Sequence, residues 1–302
     1  MAVITTGAHP KALWPGVHAF FGRTYNKHPL VCTQLFGVKS SKKAYEEDVR
    51  VTGFGMVPVK PEGSSVSYQA ESQADTTRYT HVTYASGYIV TEEEIDDSLY
   101  DVVSKRRSES LAFSMRTTKE VVAANVFNRA ETAGFTGGDG QTLLSVSHPS
   151  TAGSQSNRLA TAADFSEAAL EDLLIQIKNA ENYMGLPIAI RAEKLAVPPA
   201  LEFEAHRVLN STLRVDTANN DINAVKSMGM LPGGVICNPY FTDEDAWFLL
   251  TDVPAGLTCF MRKERRFEMD NDFDTSNAKA KASERYSFGW SDWLGCFGSM
   301  GA

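Results

Sequence analysis

The sequence predicts an α+β fold, and three observations carry that prediction. From Thr258 to Met300 the chain is a long run of strand-like residues, with no nucleophile, phosphate loop or metal box inside it. From Val49 to Val90 it reads as one long β-hairpin. Between these lie a charged helix of about 40 residues and a stretch of short alternating helices and strands. A chain built this way suits assembly better than turnover.

Bulk composition narrows the choices. The chain has 302 residues, enough for one large domain or two ordinary ones. Hydrophobic residues make up 43% and charged residues 22%, so most of it should fold. A net charge of -8 argues against a surface given over to gripping nucleic acid, which needs clustered Lys and Arg. Local basic patches remain at Lys105-Arg106-Arg107 and Arg262-Lys263-Glu264-Arg265-Arg266. The four cysteines, Cys32, Cys237, Cys259 and Cys296, form no CxxC pair and sit among apolar or small residues, as buried free thiols of a reducing compartment do. No basic stretch precedes an apolar core at the N-terminus, so no signal peptide is expected. No apolar run approaches the ~20 residues that cross a bilayer. A soluble protein made in a cytoplasm, without membrane contact, is the expectation.

Residues 1–48 read as an arm. Pro15-Gly16-Val17-His18-Ala19-Phe20-Phe21 can start a short helix with proline in its first turn. Trp14, Phe20, Phe21, Tyr25 and Phe36 follow no clear period and need a partner surface. In the hairpin, residues 49–90, Val49, Val51, Val57 and Val59 mark one half; Tyr79, Val82, Tyr84, Tyr88 and Val90 mark the other. Pro61-Glu62-Gly63-Ser64-Ser65 and the polar run Gln69 to Arg78 lie between them, as a tip would. Two strands alone are marginal in water, so something else must hold this ribbon.

The long helix starts at Thr91, an N-cap with Glu94 as its capping-box partner. Glu92, Glu93, Asp96 and Asp97 crowd the first turns, where the helix dipole favours negative charge. Ile95, Leu99, Val102, Val103, Leu111, Met115, Val122 and Val126 fit one face, and no Pro or Gly occurs before Gly134. That gives a surface-lying spine of roughly 60 Å; the alternative is two helices broken near Lys105 to Ser110. Asp139-Gly140 marks a turn. Asp164 to Gly185 is a helix with Asp164 and Glu167 as its capping box. Lys194 to Val197 is a strand, Pro198-Pro199 opens a helix through Leu209, and Asn219 to Asn223 is a polar loop. Val235-Ile236-Cys237 and Trp247-Phe248-Leu249-Leu250 are buried strands, which makes 160–255 a compact α/β unit. Ala278-Lys279-Ala280-Lys281-Ala282 alternates strictly, with the lysines on a wet face.

The motifs of enzyme chemistry are missing. The histidines, His9, His18, His28, His81, His148 and His206, form neither HxxxH nor HExxH. There is no GxSxG elbow and no GxxxxGK[ST] loop, and Gly53-Phe54-Gly55 lacks a third glycine. Asp270, Asp272 and Asp274 have the spacing that opens a calcium loop, but Thr275 and Lys281 stand where Gly and Glu are required. His148 reads as a structural hydrogen-bonding residue. Phe288, Trp290 and Trp293 read as core or interface rather than a base-stacking platform. No catalytic, cofactor-binding or metal residue is assigned, and no cofactor.

The order of arm, hairpin, spine helix, α/β unit and C-terminal strands resembles the tailed-bacteriophage major capsid proteins of the Hong Kong 97 type. Locally, Asp139-Gly140-Gln141-Thr142-Leu143-Leu144-Ser145-Val146-Ser147-His148-Pro149 looks like the DGQ…HP segment of Mu-like phage major head subunits. Leu195-Ala196-Val197-Pro198-Pro199-Ala200-Leu201-Glu202 resembles the same group, as does the ending from Ala282 through Ser299. The likeness spans nearly the whole chain, and the order and spacing of its motifs carry it.

The resemblance implies an N-terminal arm (1–48), an extended E-loop (49–90), a spine helix and peripheral domain (91–159), an axial domain (160–255) and C-terminal strands of the peripheral domain (256–302). It implies a structural virion protein rather than an enzyme, one that joins copies of itself as pentamers and hexamers in an icosahedral shell around double-stranded DNA. A portal, a possible decoration protein and a host bacterial cytoplasm as the place of synthesis belong to the same expectation. Founding members carry an N-terminal scaffolding region; here strand signals begin near Val49, so a separate scaffolding protein or an already trimmed chain is expected. Lys60 is the hairpin lysine nearest to the role of an isopeptide crosslink, in surroundings that are not diagnostic. The alternative is an encapsulin-like bacterial compartment of the same fold. In either case arm and hairpin are expected to be completed by neighbouring copies.

Overall fold

The computed structural model describes residues 14–27, 29–91, 93–94, 100–214, 221–272 and 277–302. The sequence expectations for 1–13, for Glu92, Ile95, Asp96, Asp97 and Leu99, for Asn219-Asn220 and for Asp274-Thr275 lie outside the described residues. Six helices follow in order among those described: α1 (Trp14–Lys27), α2 (Cys32–Leu35), α3 (Tyr100–Asn128), α4 (Glu167–Lys178), α5 (Glu202–Asn210) and α6 (Ala224–Ser227). The strands are β1 (Gly37–Ser40), β2 (Tyr45–Val51), β3 (Gln73–Thr80), β4 (Val82–Val90), β5 (His148–Ser150), β6 (Gly153–Gln155), β7 (Ala192–Val197), β8 (Val235–Cys237), β9 (Trp247–Thr251), β10 (Leu257–Asn271), β11 (Ala278–Trp290) and β12 (Cys296–Ser299).

The first lobe is a four-stranded sheet, β1-β10-β11-β4, covered on one face by α3 and α1. Its alternation follows the sequence: Ala278, Ala280 and Ala282 are buried, whereas Lys279 and Lys281 are exposed and pair with Asp272 and Glu268. α3 is continuous through Lys105 to Ser110, so the broken-helix alternative does not hold there. Its 29 residues give it a length of about 43 Å. Thr91 Oγ1 accepts the Glu94 amide at 3.4 Å, but the Glu94 carboxylate pairs with Arg107 at 2.8 Å, so only the Thr91 half of the expected capping box is seen. The helix ends at Asn128 rather than near Gly134, because Arg129 to Thr132 tighten into a turn. Its buried stripe is Leu111, Ala112, Met115, Arg116, Lys119, Glu120, Ala123, Ala124 and Phe127, with Val122 and Val126 at the margin.

The second lobe is a sheet of order β12-β9-β7-β8 with a core on each face. Phe248 and Leu250 point towards Phe127, Phe36 and Leu144; Trp247, Leu249 and Phe297 point towards Leu170, Leu173 and Ile177 of α4. The period-2 alternation of one strand therefore serves two cores, which is why Trp247–Thr251 is buried throughout.

Four expectations need correction. Val82–Val90 is not the returning leg of the hairpin. It pairs antiparallel with β11 over Val82–Val90 and Ala278–Tyr286, while the hairpin itself pairs Tyr45–Val51 with Gln73–Thr80. β12 is not part of the first lobe either; it pairs with β9, so the C-terminus crosses back and closes the second sheet. The helix expected from Asp164 to Gly185 spans Glu167–Lys178, because Ser166 rather than Asp164 caps it, accepting from the Ala169 amide. Finally, Phe21, Tyr25 and Phe36 of the arm are satisfied within their own chain. Phe21 stacks on Phe267 at 4.6 Å, Tyr25 packs with Leu111 and Met115, and Phe36 meets Phe127 and Phe288 at 5.6 and 5.0 Å. One face of α1, invisible as a period in so short an aromatic stretch, puts the Phe21 and Tyr25 rings on α3 and the sheet.

Candidate assembly interface

What the body leaves uncovered is the ribbon. Among the described residues β2 and β3 form a two-stranded sheet with no third strand. Beyond Val51 and before Gln73 the backbone runs out without a ladder, held by Gly55 N–H to Gln69 Oε1 (2.8 Å), Gln69 Nε2–H to Met56 O (3.2 Å) and Thr52 N–H to Ser72 O (2.9 Å). Its apolar side chains face solvent: Met56 is 79% exposed, Val57 82%, Val59 92% and Tyr68 92%. Single exposed apolar residues are ordinary, but a run of them at the end of a projecting ribbon is an unfinished surface. Lys60 is exposed at the same tip.

The root of the ribbon, by contrast, is clamped. Tyr79 is buried, its hydroxyl lies 2.6 Å from Ser291 Oγ, and its ring meets Phe260 edge-on at 4.8 Å. Gly289 leaves room for that ring: a Cβ there would come within 2.9 Å of it. Gly138 does the same for the backbone of Thr76, which a Cβ would approach to 2.8 Å. Arg50 pairs with Asp292 at 3.5 Å and lies over the Tyr183 ring at 5.5 Å, tying β2 to the C-terminal segment and the second lobe. Asp75 faces this cluster; burial holds its carboxyl above the usual range, with Arg50 opposing the shift and Asp139 and Asp292 adding to it.

The DGQ…HP segment is a structural knot. Asp139 Oδ1 accepts the Gln141 amide in the turn, and Gly140 adopts φ 76°, which glycine tolerates best. His148 is fully buried, with Nδ1 2.6 Å from Asp139 Oδ2, Nε2 3.1 Å from Asn157 Oδ1, and its ring stacked on Trp293 at 4.4 Å. Asn157 Nδ2 donates to Leu143 O and Cys296 O, so one buried amide joins the segment to the C-terminus. Sequence reading found His148 but not Asn157, which carries no local signal. The Phe288 and Trp290 rings pack against the core between the lobes, and Trp293 lies inside the second core.

A second polar group lies under α3. Lys119 Nζ is 3.4 Å from Glu284 Oε2 and sits over the Tyr286 ring, while Glu120 Oε2 accepts the Cys32 amide at 3.0 Å. Burial raises the Glu120 carboxyl against its hydrogen bonds from Cys32 and the charge of Arg116. All four thiols are free. Burial pushes Cys259 up to about 12 and Cys237 up to about 11, so they pack rather than react. Among the described residues no group of three His, Cys, Asp or Glu is placed to hold a metal ion, and no helix is long and apolar enough to cross a membrane.

Against known families, residues 73–298 match one described as phage capsid protein. The chain belongs to the phage capsid protein family. A search of curated proteins finds no match. The fold is similar to the capsid of a native GTA particle, at 14% identity over 91% of this chain and 92% of that one, with a TM-score of 0.58. It is similar to the procapsid of bacteriophage JBD30, at 16% identity over 98% of this chain and 76% of that one, with a TM-score of 0.55. A virus-like particle from Pyrococcus furiosus matches at 13% identity over 94% of this chain and 97% of that one, with a TM-score of 0.53. The fold is the Hong Kong 97-type capsid fold. This capsid protein is a structural head subunit, a component of the virion that assembles into a shell.

Proposed function

We propose that this capsid protein is the major head subunit of a tailed phage, that its copies group as pentamers and hexamers, and that the closed shell encloses double-stranded DNA. The ribbon carries this reading: a clamped root and an apolar, unladdered tip need a neighbouring molecule. A tip of one copy resting on another is a heterologous contact, and such contacts close into rings when the rotation allows. Many modest interfaces then add up through closure. The arm, E-loop, peripheral and axial divisions follow this reading, with the E-loop redrawn to the ribbon rooted at Tyr45 and Thr80. The acidic balance of -8 suits a wall that does not stick to packed DNA. A separate scaffolding protein, a portal and a decoration protein complete the proposed partners, synthesis takes place in the host bacterial cytoplasm, and the role is structural rather than enzymatic. The match to a phage capsid family favours this reading over an encapsulin-like compartment.

The test is Val57→Ser/Val59→Ser/Tyr68→Ser. In the unassembled chain these exposed sites should change stability by no more than about 0.5 kcal/mol. Particle yield in negative-stain microscopy, with a scaffold supplied, should collapse. Normal shells from the triple variant would overturn the role given to the tip.

A further inference from the structure

The second lobe carries a cavity of about 620 Å³, open to solvent, at the start of β7. Leu174 and Ile177 of α4, with Ile190, form its apolar floor, and Met228 stands at its edge, 63% exposed. Lys178 and Arg191 flank it, and both are exposed. Arg191 leads directly into β7, and the segment after Met228 is tied to the same end, because Gly233 N–H donates to Glu193 O at 2.8 Å. A cavity of this size takes a bulky apolar group rather than marking a packing flaw.

The other end of β7 carries a projection. The strand runs through Val197 into the turn Pro199–Leu201 and on into α5. Ala205 and Val208 bury the inner face of α5, which leaves Phe203 pointing outward, 76% exposed. Pro199 and Ala200, one turn back, are exposed beside it. Glu202 and Glu204 flank the ring, while Arg207 is drawn back to the Phe203 carbonyl, to which its Nε–H donates at 3.3 Å. Among the described residues Glu204, Lys178 and Arg191 enter no ion pair. β7 has six residues, so projection and cavity stand roughly 20 Å apart along it. No copy can fill its own cavity with its own Phe203.

We propose that the Phe203 end of α5 in one copy enters the Leu174–Ile177 cavity of the next copy around a ring. The acidic collar of Glu202 and Glu204 then meets the Lys178 and Arg191 rim. That match of charge sets the register and disfavours pairing two projections or two cavities. Each copy gives one Phe203 and receives one, so the contact is heterologous and continues until the rotation closes. It rests on the grouping into pentamers and hexamers proposed above, and names the surfaces that build it. A single aromatic anchor is the chemistry of an interface hot spot. One such contact is far smaller than a stable dimer needs, so unassembled chain stays monomeric and ring closure supplies the rest.

The test is crosslinking in assembled particles. Ala200→Cys beside Phe203 and Ala189→Cys in the cavity wall, both at exposed positions, are placed in full-length chain carrying Cys237→Ser. Particles formed with a scaffold supplied are treated with a short bismaleimide. The double variant should give a ladder of covalent multimers on a denaturing gel. Particles mixed from the two single variants should give dimers and nothing larger, and each single variant alone should give monomers. Phe203→Ala in the parent should cut particle yield roughly tenfold or more, while the unassembled chain melts at the parent temperature. Glu204→Lys and Lys178→Glu/Arg191→Glu should each lower the yield, and their combination should restore it. Particles without crosslinks, a double variant that stops at dimers, parental yield in Phe203→Ala, or charge reversals that fail to rescue each other would overturn the contact and leave the head-subunit reading standing. A parent chain that forms no particles would instead overturn that reading.

Discussion

Replacing Lys119 by methionine tests the buried polar group beneath the spine helix. The Lys119 side chain is 9% exposed and that of Glu284 1%. At their separation of 3.4 Å, an effective dielectric constant of about 20 gives an attraction of about 5 kcal/mol, before the desolvation of both ions is subtracted. The net value of the intact pair is therefore small. Breaking it from one side is another matter, because it leaves the buried Glu284 carboxylate without its cation while Oε1 already has no hydrogen-bond partner. The Glu284 charge also acts on the Tyr25 hydroxyl of the arm, which would feel the change as well. Lys119→Met should cost about 3–5 kcal/mol. The double variant Lys119→Met/Glu284→Gln should recover most of that loss, because no charge remains uncompensated. Urea unfolding of unassembled chain, followed by tryptophan fluorescence, measures both. A single variant costing under about 1 kcal/mol, or a double variant whose loss equals the sum of the singles, would refute the view that an uncompensated charge causes the damage.

Glu120→Gln should raise the unfolding midpoint at neutral pH, because the buried carboxylate is disfavoured there. Its raised pKa means that the folded parent takes up a proton first as pH falls, so the gain should fade towards the ordinary carboxylate value of 4.5 and disappear below it. Gly289→Ala should cost about 1–3 kcal/mol by driving a methyl group to 2.9 Å from the Tyr79 ring. Its loss should be relieved by Tyr79→Leu, and melting curves of the three variants check this.

Much of the architecture was legible because it is written locally. The alternation of Ala278 to Ala282 gave the wet and dry faces of β11, the Asp139-Gly140 turn was read correctly, and the apolar steps at Leu111 and Met115 located the helix. The assembly surface was half legible: the valines of the tip stood out, but Val82 to Val90 looked like its second strand. Strand propensity says that a segment is extended and says nothing of its partner. β4 finds its partner nearly 200 residues downstream, where Tyr286 lies beside Val82. The arm misled for a related reason. Its aromatic residues advertised a missing surface, and for Phe21 and Tyr25 that surface was α3 and the sheet of the same chain.

The residues by themselves determined the local elements, the lack of enzyme motifs and the exposed tip, because periodicity, capping and turn chemistry act over a few positions. Only the tertiary structure decided which strands pair, that Phe21, Tyr25 and Phe36 are buried at home, that Lys119 meets Glu284, and that His81 bridges Ser41 and Ser287. Those are contacts between residues distant in sequence. Their geometry comes from how the sheets and α3 pack, which no short window of sequence contains.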